Sequence, residues 1–138
     1  MEIEDRIVSS LLIIGSSLVK SGDQLVAQFG LNQQQFVTLR AISNQGPISQ
    51  KQICSKLLFE KSHVSKVSRK LESLELIKIQ QDPSDSRVTL LEVTEKGSQV
   101  IQKAMEIFNK ENRNWLSSLS ETEKLHAELV LDRLRSLT

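Results

Sequence analysis

The sequence contains one cysteine, two prolines, no tyrosine and no long apolar run in its 138 residues. Because Cys54 is the only thiol, no disulfide can form within the chain, which is typical of a reducing compartment. The longest run of purely aliphatic residues, 11–14, is much shorter than the about 20 residues that a membrane-spanning helix needs. The first residues also lack the basic stretch that opens a signal peptide. We therefore predict a cytoplasmic protein with no membrane partner.

Aromatic residues make up only 4% of the chain. The net charge is +1, which by itself indicates no polyanionic partner. Hydrophobic residues at 38% and charged residues at 25% are typical of a globular chain. A chain of 138 residues is long enough to bury a core, which must here be mostly aliphatic. The sequence therefore predicts a single domain, residues 1–138, that needs neither a disulfide nor a metal to fold.

Motifs for catalysis and for metal or cofactor binding are missing. The two histidines, His63 and His126, lie far apart, and neither the CxxC nor the HExxH spacing of zinc sites occurs. There is no GxGxxG or P-loop to cradle a phosphate and no GxSxG nucleophile elbow. We predict that the protein is not an enzyme and has no catalytic residue, no metal site and no cofactor.

Residues 2–29 form a predicted first helix in which Gly22 is a candidate break. Its apolar residues recur mostly every three to four positions, and further ones widen the stripe beyond the needs of one core face. The excess indicates a second buried face, against another subunit. The first stripe comprises Ile3, Ile7, Leu11, Ile14, Leu18, Leu25 and Phe29, and the additional residues are Val8, Leu12, Ile13, Val19 and Val26.

Two capping-box patterns predict the next helix starts, Asn32-x-x-Gln35 and Ser49-x-x-Gln52. The second helix runs to about residue 44 and buries Phe36, Leu39 and Ile42. The third covers residues 50–57, and after a break at 58–60 a fourth covers 61–74. Two short helices joined by a tight break are typical of a helix-turn-helix.

The rest of the chain, from residue 75 onwards, predicts a hairpin and two helices. Residues 77–80 and 88–93 have β character and flank the turn sequence Asp82-Pro-Ser-Asp-Ser. Thr94 caps a helix over 95–118, and Ser120-x-x-Glu123 caps a last helix. A helix-turn-helix followed by a hairpin predicts a mainly α winged helix. The first of the two helices is expected to bury Val100, Ile101, Ala104, Met105, Phe108, Trp115 and Leu119, and the apolar side of the last comprises Leu125, Leu129, Leu134 and Leu137.

The fourth helix has a face without acids. At 100° per residue, Val64, Val67, Leu71 and Leu74 form a core stripe. Short hydroxyls and cations on the other face suit the approach to base edges and phosphates. Residues 51–79 also hold seven Lys/Arg against three Glu, while the rest of the chain carries 11 against 14. A merely solvated face remains the alternative. The opposite face comprises Ser62, Ser65, Lys66, Arg69 and Ser73, with His63 at its flank as a packing or phosphate-contact residue.

The chain resembles the multiple-antibiotic-resistance regulator (MarR) family of winged-helix transcription factors over nearly its whole length. The resemblance is densest in Lys61-Ser-His-Val-Ser-Lys with Leu71-Glu72, and in Asp82-Pro-x-Asp-x-Arg87 with Val93-Thr-x-x-Gly97. It implies a homodimer joined through residues 1–30 and 94–138, with a DNA-binding lobe over 31–93. It also implies a regulator, more often a repressor, whose DNA affinity a small aromatic or phenolic effector modulates.

By the same resemblance, helix 61–74 enters the major groove of a palindromic operator in double-stranded DNA, and the wing, 77–93, reaches a flanking minor groove or the backbone. Asp85 holds Arg87 in position for that contact. The chain departs from the family pattern at four places: Leu58 and Glu75 replace common glycines, Arg69 a frequent Asp, and Ser86 a frequent Arg. The predicted DNA-binding residues are Ser62, His63, Ser65, Lys66, Arg69, Lys70, Asp85 and Arg87.

Two alternatives stay open at this point. A winged-helix adapter would keep the fold and the dimer but bind a protein, which calls for an apolar or mixed-charge surface on helix 61–74. Redox sensing would use Cys54, which we expect to be a buried and inert thiol on the third helix. The polar and basic side chains of helix 61–74 favour DNA over a protein partner.

Overall fold

The computed structural model describes all 138 residues. The chain is mainly α with a small antiparallel sheet, as predicted, and its elements follow the predicted order with one strand added. No helix combines the length and the hydropathy needed to cross a membrane. The elements are α1 (Ile3–Val26) with a 3-10 turn (Ala27–Phe29), α2 (Gln33–Gln45), β1 (Ile48–Ser49), α3 (Gln50–Leu57), α4 (Lys61–Ser73), β2 (Ile77–Asp82), β3 (Asp85–Val93), α5 (Glu95–Trp115) and α6 (Glu121–Ser136).

All three predicted capping boxes form, and they fix where α2, α3 and α6 begin. In α2 the Asn32 side chain accepts from the Gln35 amide at 2.8 Å, and the Gln35 side chain accepts from the Asn32 amide at 2.9 Å. Reciprocal bonds of this kind satisfy amides that have no partner within the helix. The candidate break at Gly22 is wrong, because α1 continues through it and Gly22 is buried against the side chain of Gln33.

The sheet has three strands in the order β1-β3-β2, all antiparallel. The strand β1 was not predicted. It has only two residues, of which Ile48 pairs with Leu91, and two residues are too few to show a periodic pattern. Both wing strands are also longer than predicted, and only residues 83–84 form the turn. Arg87 therefore lies in β3, near the tip of the hairpin and not in the loop itself.

The structure forms two compact units, Met1–Ala104 and Met105–Thr138, with α5 running from the first into the second. The core of the first unit is aliphatic apart from Phe36, as the composition predicted. The predicted stripes of α2 and α4 are confirmed as buried, except that Leu74 is only half-buried. The core comprises Val26, Leu31, Phe36, Leu39, Ala41, Ile42, Ile48, Ile53, Val64, Val67, Leu71, Leu76, Ile77, Leu91 and Ala104.

The second unit has no fully buried side chain. Its part of α5 ends at Trp115, three residues before the predicted end, and residues 116–118 form a turn. Trp115 is not buried within the single chain, since 55% of the residue is exposed. The apolar stripe of α6 is likewise exposed, because nothing within the single chain covers it; it comprises Leu125, Leu129, Leu134 and Leu137.

Two residues other than glycine adopt the left-handed conformation, Leu58 with φ +56° and Glu75 with φ +62°. Leu58 ends α3 and Glu75 follows α4, so both turn the chain sharply after a helix. A left-handed residue with a Cβ costs about 1–2 kcal/mol relative to one without. The two positions are those at which the sequence replaces glycines common in the MarR family.

Leu58→Gly is expected to raise the free energy of unfolding by about 0.5–1 kcal/mol. The gain from the relieved conformation exceeds the entropy that glycine adds to the unfolded chain, and Leu58, 73% exposed, gives up little packing. Chemical denaturation measures the change. The control is Arg40→Gly, which places glycine at an exposed position in the middle of the regular helix α2 and should cost about 1 kcal/mol. A loss of stability in both variants contradicts the expectation.

Candidate nucleic-acid interface

One side of α4 is packed and the other is open. Val64, Val67 and Leu71 are buried against α2, α3 and β2. The open side has hydroxyl and cationic side chains and no acid. Glu72 is exposed as well, but its carboxylate accepts a hydrogen bond from the Ile79 amide at 3.2 Å and so belongs to the flank next to the wing. The exposed members of the open side are Ser62, Lys66, Arg69, Lys70 and Ser73.

Two predicted site residues on α4 are half-buried. The Ser65 hydroxyl donates to Oε1 of Gln50 at 3.4 Å, which connects α4 to the first residue of α3. The His63 ring meets the Phe59 ring edge-on, with 4.8 Å between centroids, and its Nε2 atom is buried without a hydrogen-bond partner. His63 therefore packs against the helix-turn-helix break, which is one of its two predicted roles.

The wing presents one arginine, held by the carboxylate two residues before it. The Arg87 guanidinium donates from Nε to Oδ1 of Asp85 at 3.1 Å and from Nη2 to Oδ2 at 3.3 Å. The Arg87 amide also donates to Asp85 Oδ1, at 3.0 Å. The Arg87 side chain is nevertheless 89% exposed. The structure thus places the two residues in the predicted pairing, with most of the arginine open to solvent.

These hydrogen bonds lower the pKa of Asp85 below its ordinary value of 3.8, first through the Arg87 side chain and then through the Arg87 amide. The pKa of Asp82 is also lowered, because the hydroxyl of Ser84 donates to it at 2.6 Å and the Ser84 amide at 2.8 Å. Both carboxylates are therefore ionised at neutral pH. They shape the hairpin tip in that state, Asp82 at the turn and Asp85 beside the arginine.

Arg87→Ala is expected to raise the pKa of Asp85 towards 3.8, since the guanidinium bonds are removed and the amide bond is kept. A carboxyl whose pKa is lowered by folding stabilises the folded state above its unfolded pKa, and the contribution disappears as pH falls through the folded pKa. In the wild-type protein this pairing should therefore weaken only below about pH 3.8. Carbon-detected NMR titration measures the shift, with Asp82 as the internal control. An unchanged Asp85 midpoint contradicts the pairing.

Thr94 joins the end of α4, the start of the wing and the start of α5. Its hydroxyl donates to the carbonyl of Glu75 at 2.7 Å and accepts from the Gly97 amide at 3.1 Å. Its own amide donates to the carbonyl of Leu76 at 3.0 Å. The three bonds explain the Val93-Thr-x-x-Gly97 pattern, since the threonine caps α5 and also holds the chain that leaves α4.

A groove, here called the wing groove, lies between the starts of α3 and α4 and the outer part of β3. Its volume is about 510 Å3. Cys54 lines this groove and is half-buried, so the expectation of a buried thiol is wrong. Lys51 and Lys61 line it too; both belong to the basic block of residues 51–79, in which the sequence pattern gave them no individual role.

Residues 31–89 match the sequence model of the MarR family. The chain is 32% identical over 98 residues to the HTH-type transcriptional regulator MhqR of Bacillus subtilis, over 71% of this chain and 68% of that protein. It is 26% identical over 100 residues to the HTH-type transcriptional repressor NicR of Pseudomonas putida, over 72% of this chain and only 63% of NicR. It is also similar to the crystal structure of S. aureus MepR in complex with DNA, with a TM-score of 0.84, 25% identity and coverage of 95% and 97%.

Proposed function

The chain belongs to the MarR family of transcriptional regulators, and we propose on that premise that it is a homodimeric regulator that binds double-stranded DNA. The observation that carries this proposal is the open side of α4, which is basic, rich in hydroxyls and free of acids, beside a wing that exposes Arg87. The DNA-bound MepR structure, similar over almost the whole chain, supports the same function. The lobe over residues 31–93 would bind DNA, and residues 1–30 and 94–138 would form the dimer.

In the proposed complex α4 lies in the major groove. The long side chains of Lys66 and Arg69 can reach base edges, and the small Ser62 lets the helix approach them closely. Arg69 can donate two hydrogen bonds to one guanine. Lys70, on the rim of the open side, would contact phosphates. Arg87, aligned by Asp85, would reach the minor groove or the backbone beside it. Ser65 and His63 contribute mainly by holding α4 against α3 and the break before it.

A dimer is proposed from the apolar side chains that the single chain leaves uncovered. Nine large aliphatic residues of α1 are each at least 40% exposed: Ile3, Ile7, Val8, Leu11, Leu12, Ile13, Ile14, Leu18 and Val19. An exposed apolar surface of this kind is unfavourable in water and marks an interaction surface. α6 exposes a second set, which includes Leu125, Leu129 and Val130. A symmetric dimer would bind a palindromic operator with half-sites about one helical turn apart.

Sedimentation equilibrium tests the dimer. The wild-type protein is expected to remain a dimer at micromolar concentration, because monomers would expose both apolar sets. A stable monomer at that concentration contradicts the proposed assembly, even if the chain is fully folded by circular dichroism.

We propose repression as the regulatory sense, which the similarity to the repressor NicR supports. A small aromatic or phenolic effector would modulate the affinity for DNA, as the resemblance to the family implies. Mapping the DNA bound in the cell would identify the regulated neighbours, and the chemistry of their products would indicate the effector class.

Titration with duplex DNA at two salt concentrations tests the function itself. The affinity should fall steeply as salt rises, since cations that bind phosphates release condensed counterions from the duplex. Binding that is absent, or insensitive to salt, would instead favour the protein–protein adapter.

A further inference from the structure

Three cationic side chains line the wing groove, and only one of them, Arg87, is paired with an acid of the chain. Lys51, Lys61 and Arg87 line it, and no carboxylate does. Neither lysine takes part in a salt bridge, and both are exposed. Arg87 is paired with Asp85 through Nε and Nη2, which leaves Nη1 without a hydrogen bond. Three cations from α3, α4 and β3 thus converge on one concave surface.

The groove also lies between the two elements assigned to DNA. Gln50, on its α3 side, accepts the hydrogen bond from Ser65 of α4. Arg87 and Thr89, on its other side, belong to the wing. A duplex that receives α4 in its major groove and the wing in the neighbouring minor groove must pass one strand of its backbone between them. That backbone carries the duplex's dense negative charge.

We infer that the wing groove binds the phosphodiester backbone of the operator, with Lys51 and Lys61 as the phosphate-binding residues. The inference rests on the proposed function and adds two residues to its site. Lysine suits the role because its ammonium is a compact charge that needs no fixed bidentate geometry. The hydroxyls of Ser49 and Thr89 line the same groove and can donate to phosphate oxygens. Its volume of about 510 Å3 accommodates a phosphate together with its sugar.

A freely diffusing small anion is the other source of the same chemistry. The exposure of both lysines favours the backbone, since a site built for a free anion gains strength by withdrawing its cations from water. Backbone phosphates arrive with the duplex and need no such enclosure. The two sources predict different effects on the salt dependence of DNA binding.

The test uses Lys51→Gln, Lys61→Gln and the double variant, with Lys20→Gln as the control for removal of an exposed lysine from α1. The probe is a duplex selected from a random-sequence pool by the wild-type protein. Removing one phosphate-binding cation should flatten the plot of log affinity against log salt by about 0.9, or by about 1.8 when both subunits of a dimer carry the substitution. With equal affinities at 1 M salt, the slope change of about 1.8 makes the homodimer of each single variant bind about 30-fold more weakly at 0.15 M salt. The sequence preference should stay unchanged. The control should keep the wild-type slope.

The outcomes separate the inference from the proposed function. A double variant with the wild-type salt slope overturns the phosphate-binding role of the two lysines, while the regulator function stands. Failure of the wild-type protein to bind any duplex rejects the function and the inference with it. Inorganic phosphate is titrated into the DNA-free protein in parallel and followed by NMR. Saturation at submillimolar concentration that disappears in the double variant, while the duplex slope stays unchanged, would assign the groove to a free anion and also overturn the inference.

Discussion

Gly97→Ala is expected to lower the free energy of unfolding by about 2–3 kcal/mol, although alanine is the better helix former. A Cβ at this position would overlap the carbonyl oxygen of Leu76 and lie 3.1 Å from both the Leu76 carbonyl carbon and Cγ2 of Val93. The Leu76 carbonyl cannot turn away, because it accepts the hydrogen bond from the Thr94 amide. The start of α5 would therefore have to move off the junction between α4 and β2.

Chemical denaturation at one fixed protein concentration measures the destabilisation. Gly15→Ala is the matched control, since it makes the same substitution within α1 at a position with no heavy atom within 4 Å of the new Cβ. Within the single chain the helix propensity of alanine acts alone at this position and should add up to about 1 kcal/mol. Equal and favourable effects at both glycines would show that α5 does not press on the Leu76 carbonyl.

Arg69→Ala is expected to weaken binding to the operator by about 1–3 kcal/mol for each half-site, if the arginine donates to a base as proposed. That range corresponds to about 5- to 150-fold for each arginine–base pair. Arg69 is exposed on the open side of α4 and forms no salt bridge, so the substitution should leave folding unchanged. The sequence preference should relax at one base pair per half-site. Selection from a random duplex pool, before and after the substitution, measures both effects.

Arg87→Ala provides the contrast on the same duplexes. It should also weaken binding, but the preference within the central bases should stay as in the wild type, because the wing reaches outside them. Arg113→Ala removes an exposed arginine of α5 that lies outside both elements, and it should change neither property. If Arg69→Ala and Arg87→Ala both bind like the wild type, the proposed docking is wrong.

The sequence predicted the helices well because their signals are local. Capping boxes such as Ser49 with Gln52 mark a helix start within four residues, and the spacing of Val64, Val67 and Leu71 marks a buried face. The strand β1 was missed because its pairing with β3 joins residues more than forty positions apart. The left-handed turns at Leu58 and Glu75 were visible only as departures from a family pattern, since neither residue type favours that conformation.

The candidate site, like the fold, could be predicted only where the signal is local. The open side of α4 could be predicted, because residues on one helix have fixed angular positions. The wing groove could not, since its lining comes from α3, α4 and β3 and depends on how they pack. The half-burial of Ser65 also depends on packing, through the hydrogen bond to Gln50. Trp115 was expected to be buried and is exposed in the single chain. A helical stripe shows which side of a helix is apolar, but it does not show whether the same chain covers that side.

The hydrogen bonds that Thr94 makes at the base of the hairpin hold the wing at a fixed distance from α4. β2 has six residues and extends about 20 Å, and its base is tied through Glu75 and Leu76 to the end of α4. The distance from Arg69 to Arg87 is then a property of the protein alone. In the proposed complex the DNA has to match that distance through its own groove width and stiffness. Base pairs that no side chain touches would then affect affinity through the deformation they permit.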